Sequence, residues 1–387
     1  MNSKQFETAK MCLKVVTPIN ISDGIVLGAK DYLYDSRRQK VYFLNLHQWH
    51  MFIYKHMLLE KYESYLANFR DKQSLLEWLR MQGYDIDDVR IVVTSEAQAT
   101  VNLMDNEKKK TLNDINRHIQ QPDGSLYVPG SSIKGVFRTA ILYSLLQKRQ
   151  DIKVKYWRQI QEKISSNYFK PYRDFNKLIS DLENELLHTL RLVDGNIHSN
   201  NAVYSAMRGL QVSDTYASRN MQTAILQKVD GGFDKFGKAS PKKLPIFREC
   251  MLPEAELFFD VKIEKAVMST IGINTVDDLL KATHSFFAAV TDLLQQAFEK
   301  EYQEAFQGVA AGNMFLGGNT GFLSKTLLAM LAPDKDTAKN TIKLLLDKSF
   351  KNHKHLLRDK IIAPRTLKCT NYNGKLMLMG VAEVRKV

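Results

Sequence analysis

Between Tyr127 and Thr139 the chain reads Tyr-Val-Pro-Gly-Ser-Ser-Ile-Lys-Gly-Val-Phe-Arg-Thr, a run that brings amide donors and two cations to one spot. Pro129 and Gly130 interrupt an extended stretch, Ser131 or Ser132 can cap a helix, and Val136, Ile141, Leu142 and Leu145 recur at helical spacing. A helix that begins here leaves first-turn N–H groups unbonded, and its dipole adds partial positive charge at the same end. Such a spot favours an anion such as phosphate. Lys134 and Arg138, one helical turn apart, share a face. The chemistry is that of gripping a phosphodiester backbone; the plainer alternative is a capped amphipathic helix with solvated cations.

A second stretch has the same character. From Gly312 to Thr326 the chain reads Gly-Asn-Met-Phe-Leu-Gly-Gly-Asn-Thr-Gly-Phe-Leu-Ser-Lys-Thr and runs into Leu327, Leu328, Met330 and Leu331. Gly317, Gly318 and Gly321 free the backbone for close approach, and Thr320, Ser324 and Lys325 supply donors. The nucleotide-binding P-loop places Lys and Ser or Thr directly after its last glycine. Here Phe322 follows Gly321 and Lys325 is displaced along the chain, which argues against ATP or GTP hydrolysis.

Charge agrees with a polyanionic ligand. Lys and Arg total 55 against 42 Asp and Glu, a net charge of +13 over 387 residues, and such a surplus draws in nucleic acid by counterion release. The surplus is concentrated in two places. Gln147 to Lys177 holds nine basic residues against three acidic ones, with Tyr156, Trp157, Tyr168, Phe169, Tyr172 and Phe175 interleaved. Leu323 to Lys368 holds eleven against four. Cations beside planar rings can support phosphates and bases together, although rings in an amphipathic helix more commonly face a core. No apolar run reaches the length of a membrane span, and no leader-like segment opens the chain. Cys12, Cys250 and Cys369 are widely spaced and read as buried thiols, with neither a disulfide framework nor a zinc site. The expectation is a soluble, cytoplasmic protein without metal or cofactor.

The elements that must position these stretches can be traced coarsely. Strands are expected at Met11 to Thr17 and Lys40 to Leu44 with a hairpin between, at Val89 to Thr94, Leu210 to Ser213, Ala224 to Val229, Leu244 to Leu252 and Leu257 to Ile263, and near Arg365 to Thr370 and Lys375 to Val384. His47 to Met81 reads as helical with Gly83 as its stop, Tyr156 to Leu192 as an inserted helical module, and Val276 to Phe306 as an amphipathic helix. Shorter helices are expected near Leu323 to Leu331 and at Thr337 to Phe350. Glu96 to Gln121, with the Lys108-Lys109-Lys110 cluster, is polar and aperiodic and is expected to project. Asp194 to Arg208 and the connection Gly231 to Lys243 read as loops. Strands mixed with helices, several joined by hairpins, indicate an α+β protein.

The Pro-Gly-Ser-Ser-Ile-Lys-Gly-Val-Phe-Arg-Thr run resembles a motif of the RAMP superfamily of CRISPR-associated RNA-binding proteins, and Gly312 to Thr326 resembles that superfamily's glycine-rich loop. Val16-Thr17-Pro18-Ile19-Asn20-Ile21-Ser22-Asp23-Gly24 is similar to the family's opening motif, with Asn20 where many relatives carry His and Asp23 where Gly or Ser is usual. Together with Asp31 to Asp35, Val212 to Thr215 and Ala363 to Thr366, the order of motifs resembles end-capping RAMP subunits of type III-A CRISPR (Csm) effector complexes.

The resemblance implies tandem ferredoxin-like (RRM-like) domains: 1–250 with helical insertions at about 45–83 and 150–192, and 251–387 carrying the glycine loop. It implies an RNA-binding set of Ser22, Gly24, Gly130, Ser131, Ser132, Lys134, Arg138, Gly317, Gly318, Thr320, Ser324, Lys325 and Arg365. It also implies a projecting hairpin over the RNA and a non-catalytic role in antiviral defence. The chain would cap the 3′ end of a crRNA-bound filament, contact the repeated backbone RAMP subunit, meet target RNA through the guide, and support crRNA maturation with a trimming nuclease. Two other readings stay open on the residues. One is a metal-independent endoribonuclease using His47, His50, His353 or His355, with Asp23 and Asp105 as weaker candidates. The other is a scaffold whose basic surface meets acidic partners.

Overall fold

The computed structural model describes residues 5–68, 73–100, 112, 114–166, 168–190, 201–217 and 221–387. In chain order the strands are β1 (Phe6–Val15), β2 (Val26–Leu27), β3 (Tyr32–Asp35), β4 (Lys40–Leu44), β5 (Val93–Thr100), β6 (Ile115–Asn116), β7 (Leu210–Val212) and β8 (Tyr216–Ala217). They continue with β9 (Thr223–Gly231), β10 (Lys242–Met251), β11 (Glu256–Glu264), β12 (Met314–Phe315), β13 (Leu367–Tyr372), β14 (Lys375–Leu378) and β15 (Val381–Lys386). The helices are α1 (Leu46–Lys55), α2 (Leu59–Ala67), α3 (Leu75–Met81), α4 (Gly130–Lys148), α5 (Gln150–Ser165), α6 (Pro171–Leu187), α7 (Lys265–Met268), α8 (Val276–Phe298), α9 (Leu328–Leu331), α10 (Lys335–Ser349) and α11 (His355–Arg358).

The first sheet has the order β12-β15-β1-β11-β7, with β8 added on β11. Within it, β1, α4, β7, β11, α8 and β15 follow one another as β-α-β-β-α-β, and the strands lie as β15-β1-β11-β7 with every pairing antiparallel. That is the ferredoxin-like arrangement, so the α+β class holds. The pattern is written in β1, where Met11, Leu13 and Val15 alternate onto a buried face, Met11 standing opposite Phe259 and Leu13 opposite Val384. Helices α4 and α8 cover the sheet, with Tyr143 and Phe286 meeting at 5.6 Å and Phe287 and Phe315 at 4.8 Å. A capping box at Thr275 and Asp278 starts α8. Phe137 of α4 is fully buried beneath, and its truncation to Ala would cost about 3–5 kcal/mol.

The second sheet runs β2-β6-β10-β9-β5-β4-β3. One edge of β9 is shared: Ala224 to Leu226 pair with β5 in parallel, and Lys228 to Gly231 pair with β13 antiparallel. Each sheet takes strands from both sides of residue 250, because β1 lies between β11 and β15 while β13 extends β9. The expected division into 1–250 and 251–387 is therefore not a division between sheets. Alternation along one strand marks a buried face but not its partners, which is why strand pairing across the chain was invisible.

Other expectations shift in detail. The hairpin of β4 is made with β3, whereas β1 lies in the other sheet. Ile86–Val92 is a 3-10 segment, and the strand begins at Val93. The segment expected as one long helix is three: α1 ends where Met57 takes φ 54° and the Leu58 amide returns to the Ile53 carbonyl. These helices share an aromatic core of Trp49, Phe52, Tyr62, Tyr65 and Trp78. The interleaved rings of the first basic segment are largely core as well: Tyr156 and Trp157 are buried, whereas Tyr168 is exposed. Residues 101–111 and 113 of the segment expected to project lie outside the described residues; its start belongs to β5 and Ile115–Asn116 forms β6. Among the described residues no helix is long and apolar enough to cross a membrane.

Candidate nucleic-acid interface

Three segments meet around one cleft of ≈ 370 Å³: Ile21 and Ser22 after β1, the first turns of α4, and the glycine loop after β12. The helix contributes Ser132, Gly135, Val136 and Thr139, which recur at the spacing of a single helical face. The loop contributes Phe315 to Gly318, Thr320, Ser324 and Lys325. Thus Ser22, Ser132, Gly317, Gly318, Thr320, Ser324 and Lys325 of the expected set come together.

The glycine loop is clamped to the opening loop through Asn20, which is buried. Its side-chain Nδ2 donates to the Glu249 carbonyl at 2.8 Å, its Oδ1 accepts from Arg248 Nη1 at 3.0 Å, and its own carbonyl accepts the Gly318 amide at 2.7 Å. Gly317 has φ 87°, and a Cβ there would overlap the Asn20 carbonyl oxygen, so both sterics and backbone demand glycine. The amides of Gly317, Asn319, Thr320 and Gly321 have no acceptor among the described residues. They form the open face of the loop.

Two cations stand at this loop. Lys325 lines the cleft, its ammonium has no hydrogen bond or ion pair among the described residues, and burial, then the charge of Arg248, pulls its pKa below the ordinary lysine value. Arg248 on β10 lies under Gly318, where a Cβ would stand 3.1 Å from its Nη1. Its Nε is buried without a partner, and burial lowers its pKa too. Two half-desolvated cations with open amides alongside are chemically suited to an anion.

Several expected ligands are engaged elsewhere. Ser131 and Ser132 do not cap α4; the N-cap is Pro129, and the Asp214 carboxylate accepts the Gly130 amide at 2.7 Å. Gly130 is glycine because a Cβ would strike the carbonyls of Val212 and Ser213. The helix end is thus already answered by a carboxylate, and Ser131 keeps the first-turn amide with no acceptor among the described residues. Lys134 and Arg138 do share a face, but it is not the Ser132–Gly135–Thr139 face. Lys134 Nζ donates to the Leu210 carbonyl at 2.6 Å, and Arg138 pairs with Glu183 at 2.5 Å. The Ser324 hydroxyl donates to the Thr320 and Gly321 carbonyls, so it braces the loop. Gly24 is an exposed turn residue outside the cleft lining, with φ 90°, whose amide donates to Ser22 Oγ. Arg365 Nη1 donates to Asp359 Oδ1 at 2.8 Å, and the other oxygen of that buried carboxylate meets His355 Nδ1 at 2.8 Å.

None of the histidines weighed for catalysis lines the cleft. His47 and His50 are exposed on α1, His353 is exposed and stacked on Phe350, and His355 is buried against Asp359. Asp23 accepts the Ile25 amide within its own turn, and Asp105 lies outside the described residues. Among the described residues no three or more His, Cys, Asp or Glu side chains are grouped to hold a metal ion. Sequence reasoning missed Arg248 and the buried His118. His118 Nδ1 accepts the Ile21 amide at 2.9 Å, and burial pushes its pKa down to about 4. The signal for Arg248 was its place beside Glu249 in the otherwise apolar run Leu244 to Leu252; His118 carried none.

The RAMP superfamily profile matches residues 12–322, and the chain belongs to that superfamily. Relatives include the CRISPR system Cms protein Csm5 of Mycobacterium tuberculosis, 27% identical over 397 residues and covering 98% of this chain and 97% of its own length. The protein of that name in Enterococcus italicus is 22% identical, with 88% and 85% covered. Among solved structures, a chain of a Csm–crRNA–target RNA ternary complex from a type III-A system superposes with a TM-score of 0.67 at 18% identity, covering 98% of this chain and all of that one. The crystal structure of T. onnurineus Csm5 gives 0.62 at 18% identity, with 96% and 99% covered.

Proposed function

We propose that this chain is an RNA-holding subunit of a type III-A CRISPR effector complex, and that the cleft between α4 and the glycine loop grips the crRNA backbone. The observation that carries the reading is the meeting of open loop amides with Lys325 in a cleft wide enough for a phosphate, with Arg248 beneath the same loop and neither cation paired with a carboxylate. Contacts of this kind position a strand without reading its bases; sequence is then read by the guide's own pairing with target RNA. Support for the assembly comes from the full-length similarity to Csm5 relatives and to a chain of a Csm–crRNA–target RNA complex. In that assembly the chain caps the 3′ end of the guide-bound filament, abuts the repeated backbone RAMP subunit, and sets the mature guide length by shielding RNA from a trimming nuclease or recruiting it. The chain itself does no chemistry.

The test is Lys325→Gln measured against labelled guide RNA by fluorescence anisotropy over a salt series. Loss of one phosphate contact should weaken binding alike for unrelated guide sequences and flatten the log–log salt slope by about 0.7. Wild-type affinity and slope in the variant would contradict the assignment.

A further inference from the structure

The glycine loop has a second side. On the face of the second sheet that it covers, Lys228 and Asp230 of β9 alternate onto one surface, Lys368 of β13 stands in register with Asp230, and Arg248 of β10 adjoins them. The loop reaches this surface at two points: Gly318 over Arg248, and Gly321, where a Cβ would lie 3.5 Å from Lys368 Cγ. Lys368 Nζ donates to Asp230 Oδ1 at 2.9 Å and to Thr366 Oγ1 at 2.8 Å, while Lys228 Nζ stands 3.7 Å from the same Asp230 oxygen. Lys228 and Lys368 therefore share one carboxylate, Arg248 beside them has none, and all three are partly withdrawn from water. Lys228 records the crowding, since its pKa is lowered by burial and then by the charge of Lys368. Packing like charges on a half-buried sheet face without compensation costs stability, and the buried, unpartnered Nε of Arg248 adds to it. A bound anion offsets both.

We infer that Lys228, Arg248 and Lys368 form a second phosphate seat, which takes the strand's next phosphate as it passes over the glycine loop from the cleft. This rests on the cleft being the RNA site, and it extends that site from one contact to a short track. The ligand class is a phosphodiester of single-stranded RNA, held without base readout. Asp230 sets the spacing of the two lysines and competes with the phosphate for Lys368.

The experiment compares full-length wild type, Lys228→Gln/Lys368→Gln and Lys325→Gln on one fluorescein-labelled single-stranded RNA across a salt series. Losing two contacts should lower the salt slope by about 1.4, which amounts to binding about 25-fold weaker at 0.1 M salt relative to 1 M. If the double variant binds like wild type and Lys325→Gln does not, the seat is refuted and the cleft stands. If neither variant changes binding, both readings fail. Should the double variant misfold, Asp230→Asn serves instead: freeing Lys368 should tighten RNA binding and steepen the slope, and unchanged binding refutes the seat. A titration with inorganic phosphate separates the sources. Saturable phosphate binding that needs Lys228 and Lys368, yet survives excess RNA, would overturn the assignment to the strand.

Discussion

Gly135 offers the cleanest separation of folding from binding. It sits inside α4 and lines the cleft, and a Cβ built there meets nothing within 4 Å. Gly135→Ala should stabilise the protein by about 0.8–1 kcal/mol, the usual gain of Ala over Gly in a helix interior, and leave RNA affinity close to wild type. Gly135→Asp keeps the helix but aims a carboxylate into the space assigned to phosphate. At about 5 Å, two unit charges repel by about 1 kcal/mol in water-like surroundings and about 3 kcal/mol at a partly buried site. Guide RNA should therefore bind ~5- to 150-fold more weakly to the Asp variant, with the deficit shrinking as salt rises. Urea denaturation gives the stability term and anisotropy the binding term. An Asp variant that folds normally and binds guide RNA like wild type would refute the placement of the strand.

Gly317→Ala should act on the fold first. The left-handed backbone alone costs about 1–2 kcal/mol for an Ala, and the Cβ also displaces the Asn20 carbonyl, so a lower urea midpoint and weakened RNA binding should appear together. His118 should make stability pH-dependent. Its folded pKa of about 4 lies below the unfolded value of about 6.5, so the neutral ring is favoured by folding: its contribution is complete above pH ~6.5 and is lost as pH falls towards ~4, about 3 kcal/mol in all. The difference between wild type and His118→Asn isolates that step from buried Glu249, whose carboxylate accepts the His118 amide and whose burial-raised pKa works in the opposite sense. A His118→Asn profile parallel to wild type between pH 7 and 4 would remove the imidazole from the account.

What the sequence made legible were local features with a chemical signature. The helix beginning at Gly130, the glycine turns at 317 and 318, the strand β4 and the long amphipathic helix α8 all carry their own punctuation or period. Side-chain direction was the harder matter. Lys134 and Arg138 drew notice as cations, yet the face that lines the cleft is the small-residue stripe Ser132, Gly135 and Thr139, which leaves room for a ligand by lacking bulk. Arg365 sits in a closing motif but is consumed by Asp359, and that pairing requires a fold to see. Arg248 carried a local signal as a charge in a mostly apolar run, but its place beneath the glycine loop, some seventy residues further along the chain, leaves no local trace. The same holds for the closing of one ferredoxin-like sheet from both ends of the chain.

Photocrosslinking tests the central claim most directly. Guide RNA carrying 4-thiouridine near its 3′ end is bound to the purified chain, irradiated and digested, and the crosslinked peptides are mapped by mass spectrometry. Adducts should fall within 131–139 and 315–325, and Gly135→Asp should lower both together. Adducts confined to the α1–α2 surface at 46–67, with those two segments clean, would contradict the account.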